Sequence, residues 1–460
     1  MIDVPIMTTS LSGEEITPAV VQPYIKQFND NALPRLIKLD KYYNGQHEIL
    51  NRSKNSNLSN NKIVVNHASY IATLTSAYLL GDPIKYTAPD NVDISGLLEA
   101  LRKADAATQD SDLALDAAIY GTCYELIYFS TDKVPEIRLA RLSPLSTFVV
   151  YDDTVEQKPV FGAYYYPVRD QSGSVIKYKG CYYTDSESCE FELDTAFSLK
   201  SSEPQQPHYF GGVPIVEFYN DGRRSGDFEQ VTSLIDAYNL LQSDRVNDKE
   251  QFVDAILLIT GANLGEDNDE ENETLKSIKE NRVMMLPADG STAQYLTRQF
   301  DEGSVEVLQR RLEQSIHKIS MTPDMSDENF ASNTSGVAMK YKLLPLEQRT
   351  KIKERYFAEG LRERLELIQN ALSAQGSAAL DLSQIEITFS RSLPVNELEI
   401  AQTAQTLSGI VPQETLLGMI PAITDVQDAL DKLEAERQET LKAQQEAFGN
   451  KPLPEDDKTE

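Results

Sequence analysis

Along residues 227–259, DFEQVTSLIDAYNLLQSDRVNDKEQFVDAILLI, apolar side chains recur at helical spacing: Phe228, Val231, Leu234, Ile235, Tyr238 and Leu241 share one face. The stretch holds 33 residues without proline or glycine. It predicts one helix ~50 Å long, far beyond an ordinary domain helix. Its middle is polar. From Gln242 to Gln251 only Val246 is apolar, and Phe252, Val253, Ile256 and Leu257 resume the face. A helix with such a waist does not bury a full stripe in its own domain; it is a solvated strut or is packed by neighbouring copies. Gly226 and Gly261 bracket it as if it joined two bodies, which favours the second.

The rest of the chain is organised around this stretch. Residues 1–20 are polar and read as a flexible N-terminus. Residues 21–50 read as helix with contacts at Tyr24, Phe28, Leu33, Leu36, Leu39 and Tyr43; Pro34 breaks or kinks it, and Gly45 ends it. The Asn-rich run Asn51–Lys62 reads as a loop. Helices are expected over Asn66–Leu80, stopped by Gly81–Asp82–Pro83, and over Leu97–Tyr120, capped by Gly121, with a short strand Ile84–Thr87 between them. After Gly121 the period changes to two. Tyr124–Phe129, Glu136–Arg141, Phe148–Tyr151, Val160–Tyr166, Lys177–Thr184 and Cys189–Leu193 read as an antiparallel sheet, with hairpins at Ser130–Val134 and Gln171–Ser174. Ser201–Pro207 reads as a linker and Val213–Tyr219 as a further strand.

Beyond the long stretch, Thr274–Glu280 reads as a helix, and Val283–Leu286 and Ala293–Leu296 as strands of a small αβ unit. Val305, Leu308, Leu312, Ile316 and Ile319 predict a second long helix over Asp301–Met321 that returns alongside the first. A polar loop follows Pro323. Thr334 or Ser335 caps a third long helix to about Leu372, in which Pro345 predicts a kink. Ile385–Phe389 reads as a strand, and Glu397–Lys442 as helix with breaks at Gly409–Pro412 and Pro421. The fold class is α+β.

Charge narrows the function. The 460 residues include 72 acidic and 43 basic ones, a net −29. That balance argues against general adhesion to DNA or anionic lipid, because phosphate binding needs Lys and Arg. The three cysteines, Cys123, Cys181 and Cys189, lack metal-ligand spacing and suit a reducing compartment. No signal-peptide pattern and no membrane-spanning apolar run is present, so synthesis in the cytoplasm and no membrane partner are expected. One segment departs from the acidic trend: Lys340–Arg364 holds eight basic against four acidic residues. Its pairs Glu347–Lys351, Arg355–Glu359 and Arg362–Glu366 fit an ion-laced helix. The other reading is a cationic surface for acidic neighbours or DNA phosphate. Ile352, Tyr356, Leu361, Leu365 and Ile368 make the segment amphipathic and favour helix and subunit pairing.

Catalytic and cofactor motifs are absent: there is no P-loop and no dinucleotide fingerprint. His47–Glu48 opens like a zinc-protease motif, but Asn51 stands where the second histidine belongs. The four histidines, His47, His67, His208 and His317, read as structural or surface residues. Asp267–Asn268–Asp269 opens like a calcium loop, but Asn272 and Ile278 replace its glycine and closing glutamate. No catalytic residue, metal or cofactor is expected.

Four stretches, in this order, carry a resemblance: NKIVVNHASYIATLTSAYLLGDPIKY; AIYGTCYELIYF with IRLARLSPLSTFVVYDDT; GGVPIVEFYNDGRRSGDFEQVTSLIDAYNLLQSDRVND; and TPDMSDENFASNTSGVAMKYKLL. Together, over about residues 20–440, the chain resembles the portal proteins of tailed bacteriophages, siphophage type. The resemblance implies a portal-type subunit: a mixed wing domain over residues 21–225 with 374–396; stem helices over 226–259 and 300–323; a clip over 260–299; a tunnel loop over 324–335; a kinked channel helix over 336–373; a helical crown over 397–445; and a disordered tail over 446–460. It implies a homo-oligomeric ring, typically of twelve subunits, at one capsid vertex of the virion, built in the host cytoplasm. Double-stranded DNA would pass through it. The partners would be the terminase large subunit, capsid and scaffold proteins, and head-tail connector proteins. Asp327, Glu328, Asn329, Ser332 and Asn333 would face the channel; Glu266, Asp267, Asp269, Glu270, Lys279 and Arg282 would serve clip docking; Pro345 would kink the channel helix. An acidic bore would let phosphate slide by without sticking. The rival readings are a non-enzymatic ring or scaffold protein without DNA passage, and a nucleic-acid-processing enzyme, for which no clustered site of recognised spacing exists.

Overall fold

The computed structural model describes residues 6–55, 59–89, 91–131, 133, 135–253, 256–260, 292–296, 302–325, 336–391, 397–418, 429–430, 432–438 and 440. Two compact units divide the chain: Met1–Asp324 with Leu344–Arg391, and Met325–Leu343 with Ser392–Glu460.

In the first unit, proline positions set the first two helices. α1 (Pro18–Asn31) and α2 (Leu33–Tyr43) each begin with a proline in the first turn, where the missing N–H costs nothing. The segment is thus broken near Pro34 into two shorter helices, with Pro34 in the first turn of the second. α3 (His67–Leu80) is capped by the Asn66 side chain, which accepts from the Ser69 N–H. The expected helix over Leu97–Tyr120 is two helices, α4 (Ser95–Lys103) and α5 (Ala106–Tyr120), parted at Asp105, whose φ of 55° is left-handed. Gly121 closes α5 at φ +86°, and a Cβ there would lie 2.0 Å from the Arg224 carbonyl oxygen. Only glycine satisfies both conditions.

The alternating segments form two sheets. β1 (Thr8–Thr9), β5 (Thr147–Asp152), β6 (Pro159–Arg169), β7 (Val175–Tyr183), β8 (Glu187–Leu193) and β10 (Gln206–Pro207) lie in that order, and β9 (Leu199–Ser202) also pairs with β8. The expected linker Ser201–Pro207 thus lends two short strands to the sheet. Pro207 is tolerated because β10 is an edge strand. β11 (Ile215–Tyr219), β3 (Thr122–Phe129) and β4 (Ile137–Leu142) make a three-stranded sheet. A separate pair joins β2 (Lys85–Thr87) to β14 (Glu386–Thr388), which brings in the expected strand near Ile385.

Two apolar cores result. One packs Val21, Ile25 and Phe28 of α1 and Ile71 of α3 against Phe148, Val150, Phe161 and Ala163 of the large sheet. The other packs Leu113 and Ala117 of α5 against Cys123 and Ile127 of β3, Phe218 of β11, and Phe357, Leu361 and Ile368 of the third long helix.

The stretch after Asp227 departs from expectation. A short 3₁₀ turn, Glu229–Val231, leads into α6 (Thr232–Val253), a helix of 22 residues. Ile256–Thr260 is not its continuation but a strand, β12, paired antiparallel with β13 (Thr292–Leu296). A run of Ile-Leu-Leu-Ile-Thr is apolar on every face. Its β-branched residues suit a pleated strand, so helical spacing there was ambiguous. α7 (Glu302–Ser320) returns antiparallel beside α6: Arg245 of α6 pairs with Glu302 and Gln309, while Tyr238 pairs with Gln309. α8 (Gly336–Ala374) runs through Pro345 as one helix. In the second unit, α9 (Glu397–Leu407) and α10 (Gln413–Gly418) are parted by a turn at Gly409, where the chain composition placed a break.

Candidate functional site

Asp227 stands between β11 and α6, and two helices and the turn after β11 converge on its carboxylate. Lys353 and Arg349 of α8 reach it at 2.6 and 2.9 Å, Asn220 donates to it at 2.6 Å, and the Thr75 hydroxyl of α3 donates to it as well. Arg349 also donates to the Ser320 carbonyl at the end of α7, where a cation complements the helix dipole. The site is dry: Asp227 and Lys353 are each 2% exposed. Burial alone would raise the carboxyl's pKa, but the Lys353 and Arg349 charges overcome it and hold the group down at about 2. A short distance away, Arg35 of α2 donates to Glu229 at 2.7 Å and to the Arg224 carbonyl at 3.0 Å. The entry of α6 is thus fixed by ion pairs and hydrogen bonds to α2, α3, α7 and α8.

The polar waist of α6 has a cover within the same chain. Asn239, Ser243 and Asn247, one face at i, i+4 and i+8, are buried, and they bind the segment that the sequence presented as a loop. Asn239 accepts from the Val65 N–H, Ser243 from the Ile63 N–H and Asn247 from the Asn61 N–H, at 2.7–2.9 Å. Asp244 receives Arg52 at 2.6 Å and Lys54 at 3.1 Å. This corrects the expectation that solvent or neighbouring copies alone account for the waist. Asn239 also donates to His47 Nδ1 at 2.7 Å, because His47 Nε2 is committed to the Tyr42 carbonyl at 2.9 Å. Replacing Asn239 with Leu would strand the Val65 N–H and the His47 nitrogen in a dry site. The expected loss is about 2–4 kcal/mol, read as a lowered unfolding midpoint in a denaturant titration.

The basic run of α8 is largely internal. Arg349 and Lys353 serve Asp227. Arg364, fully buried, holds Glu125 through two bonds, at 2.6 and 3.1 Å, and Asp110 at 2.6 Å. Two carboxylates against one guanidinium leave a net negative charge out of water. Burial, with Asp110 adding to it, pushes the Glu125 carboxyl up to about 7, and burial raises Asp110 too. Lys351 makes the expected i,i+4 pair with Glu347 at 3.7 Å. The cationic-surface reading therefore fails for Arg349, Lys353 and Arg364. No spacing rule could find their partners, which lie in distant parts of the chain.

Of the residues singled out by sequence, Pro345 lies inside α8. Asp327, Glu328, Asn329, Ser332 and Asn333, and Glu266, Asp267, Asp269, Glu270, Lys279 and Arg282, fall outside the described residues. Three histidines hold backbone bonds: His47 as above, His208 to the Thr184 carbonyl at 3.0 Å and His317 to the Thr322 carbonyl at 3.0 Å. The three cysteines are buried and free. Among the described residues, no helix is long and apolar enough to cross a membrane.

Comparison with known proteins accounts for this scaffold. The phage portal protein family described as SPP1 Gp6-like matches residues 23–443. The chain belongs to that family. Its relatives include the portal protein of Clostridium phage phiCD119, 22% identical over 423 residues, covering 86% of this chain and 90% of the relative. The portal protein of Bacillus phage SPP1 is 22% identical over 402 residues, covering 83% and 78%. Similar solved structures come from gene transfer agent particles. One, from a native virion, has a TM-score of 0.44 at 11% identity and covers 83% of this chain and 91% of its own. Another, from the neck of an empty particle, has a TM-score of 0.43 at 15% identity and covers 77% and 88%. In this portal-family chain, the charged junction at Asp227 and the polar strap on α6 hold the antiparallel pair α6–α7 to the body.

Proposed function

We propose that the chain forms a ring, of twelve copies as is typical of portals, at one capsid vertex, through which double-stranded DNA is packaged and ejected. The observation that carries this reading is the family match across residues 23–443. Two features of the chain support it. α6 and α7 expose Leu240, Val307 and Leu308, apolar side chains that a neighbouring copy would cover. The net charge of −29 per chain would make a bore that repels phosphate and lets DNA slide.

In this reading α6 and α7 form the stem, and residues 260–299 form the clip. There Glu266, Asp267, Asp269, Glu270, Lys279 and Arg282 would meet the terminase large subunit during packaging and head-tail connectors afterwards. Energy for translocation would come from the terminase. Residues 324–335 would approach the DNA with Asp327, Glu328, Asn329, Ser332 and Asn333, beneath an α8 kinked at Pro345. Residues 397–445 would form the crown.

The test compares the full chain with a variant lacking Asp327–Asn333, each produced with scaffold and capsid proteins. Native mass spectrometry and electron microscopy should show closed rings near twelve copies for both. DNA packaged or retained per particle should fall in the deletion. Chains that stay monomeric or dimeric with those partners present would overturn the ring. Normal packaging and retention by the deletion would overturn the loop's role.

A further inference from the structure

α7 ends around His317, one of the histidines read from sequence as structural or surface residues. Glu313 and His317 stand at i and i+4, one face of the helix. Beyond Ser320 the chain reverses. Met321 adopts a left-handed φ of 56°, and the Thr322 N–H donates back to the His317 carbonyl at 3.1 Å. The reversal brings Asp324 beside the helix. One ligand atom each from Glu313, His317 and Asp324 lies within 4.8 Å of the others, and all three side chains are half-buried.

We propose that Glu313, His317 and Asp324 bind one first-row divalent cation, of the Zn²⁺ or Mn²⁺ type, which fastens the last turn of α7 to the chain leaving it. The donor set fits: imidazole suits zinc-like ions, and two carboxylates supply the charge that manganese or zinc favours. Ligands about 2.1 Å from such an ion sit roughly 3.4 Å apart, which side-chain rotation reaches from the present spacing. The tautomer fits as well. His317 Nδ1 is 3.0 Å from the Thr322 carbonyl oxygen, which can only accept, so Nδ1 carries the proton and Nε2 keeps its lone pair. Metal-bound histidines are oriented in this manner by their second nitrogen.

The surroundings supply a second, independent observation. His67 of α3 is 8% exposed and stands edge-on to His317, ring centroids 5.7 Å apart. Its Nε2 is buried without a hydrogen-bond partner among the described residues. A buried nitrogen with no partner, edge-on to one of the three clustered ligands, is a polar position that a water on the bound cation would satisfy. Tyr70 closes the other side: its ring lies 5.7 Å from His317, and its hydroxyl donates to the Pro323 carbonyl at 2.8 Å. The cation would fix the chain where it leaves α7, one residue before Met325. The site does not depend on the portal reading; it is a property of α7, its terminal turn and α3.

The experiment strips the full chain with a chelator and titrates it with Co²⁺ by visible absorption, then with Zn²⁺ and Mn²⁺ by calorimetry. One cation per chain should bind, with the ligand-field bands of a nitrogen-containing site. Glu313→Gln, Asp324→Asn and His317→Ala should each weaken binding tenfold or more, while His208→Ala leaves it unchanged. Zn²⁺ should raise the melting temperature of the parent and not of the three variants. The near-isosteric Gln and Asn variants, checked by circular dichroism, separate lost ligation from lost folding. Absence of tight binding would overturn the site. So would binding that survives His317→Ala and Asp324→Asn, since that belongs to the general acidity of the chain.

Discussion

Replacing Arg364 with Met is expected to destabilise the chain by about 3–5 kcal/mol near pH 8, the cost of removing one partner from a buried ionic group. The methionine fills the stem of the side chain and keeps its packing near Phe218, over whose ring the guanidinium sits at 5.2 Å. What it cannot replace is the charge that faces Glu125 and Asp110. Both carboxyls would then have to take up protons to remain buried.

The sign of the pH dependence follows. Glu125 has its folded pKa raised to about 7, from 4.5, by burial and by Asp110, with Arg364 opposing. A carboxyl raised in the folded state stabilises fully below its unfolded pKa, and that contribution is lost as pH climbs through the folded value. For Glu125 the window runs from about 4.5 to about 7, with an effect on the order of 3 kcal/mol. The deficit of Arg364→Met should therefore be smallest near pH 4.5 and grow toward pH 8. Glu125→Gln should behave oppositely to the parent: its stability relative to the parent should rise across the same window. Denaturant unfolding at pH 4.5, 6 and 8 measures both. A deficit of Arg364→Met that does not vary with pH would show that packing, and not charge, is what the guanidinium supplies.

These groups mark the boundary of what the sequence makes legible. Local signals survived: Gly121 ends α5, β3 and β4 pair as a hairpin closed at Phe129 and Ile137, β6 and β7 turn at Gln171–Ser174, and the register of Leu312 and Ile316 places α7 against the core. Each depends on residues within a turn or two of one another. The misreadings share a different cause. Ile256–Thr260 is apolar on all sides, so periodicity could not separate strand from helix, and the pairing with Thr292–Leu296 decided it. The waist of α6 looked uncovered because its partners, Asn61, Ile63 and Val65, lie far earlier in the chain. An Asn- and Ser-rich run opposite a helix carrying Asn239, Ser243 and Asn247 was the available signal, and the rule that such runs are loops hid it. Arg349, Lys353 and Arg364 looked like surface charge for the same reason. The family resemblance rested on the order of the four stretches and did not need the tertiary partners, so it held where the readings of the α6 waist and of the basic run did not.

Asp227→Asn is expected to cost about 3–5 kcal/mol at neutral pH, because it strands the buried Lys353 ammonium without its counter-charge. The carboxylate's own contribution can be read from its pKa. Held at about 2 in the folded chain against an ordinary 3.8, it contributes on the order of 2 kcal/mol. Because the folded value is depressed, that stability is present above about pH 4 and disappears as pH falls toward 2. The deficit of the variant should be flat from pH 5 to 8 and shrink in acid. Lys353→Met alone should also destabilise, since Asp227 would keep Arg349 but lose its nearest cation. The double variant removes both buried charges and should recover much of the loss, a coupling that a double-mutant cycle measures directly. Additive losses would show that Asp227 and Lys353 act through other partners, Thr75 and Asn220 among them. The same cycle bears on assembly. Arg349 links Asp227 to the end of α7, so loosening this junction should free the α6–α7 pair from the body before the sheets unfold. Limited proteolysis of Asp227→Asn should then cut near Ser320 at denaturant concentrations where the parent chain resists.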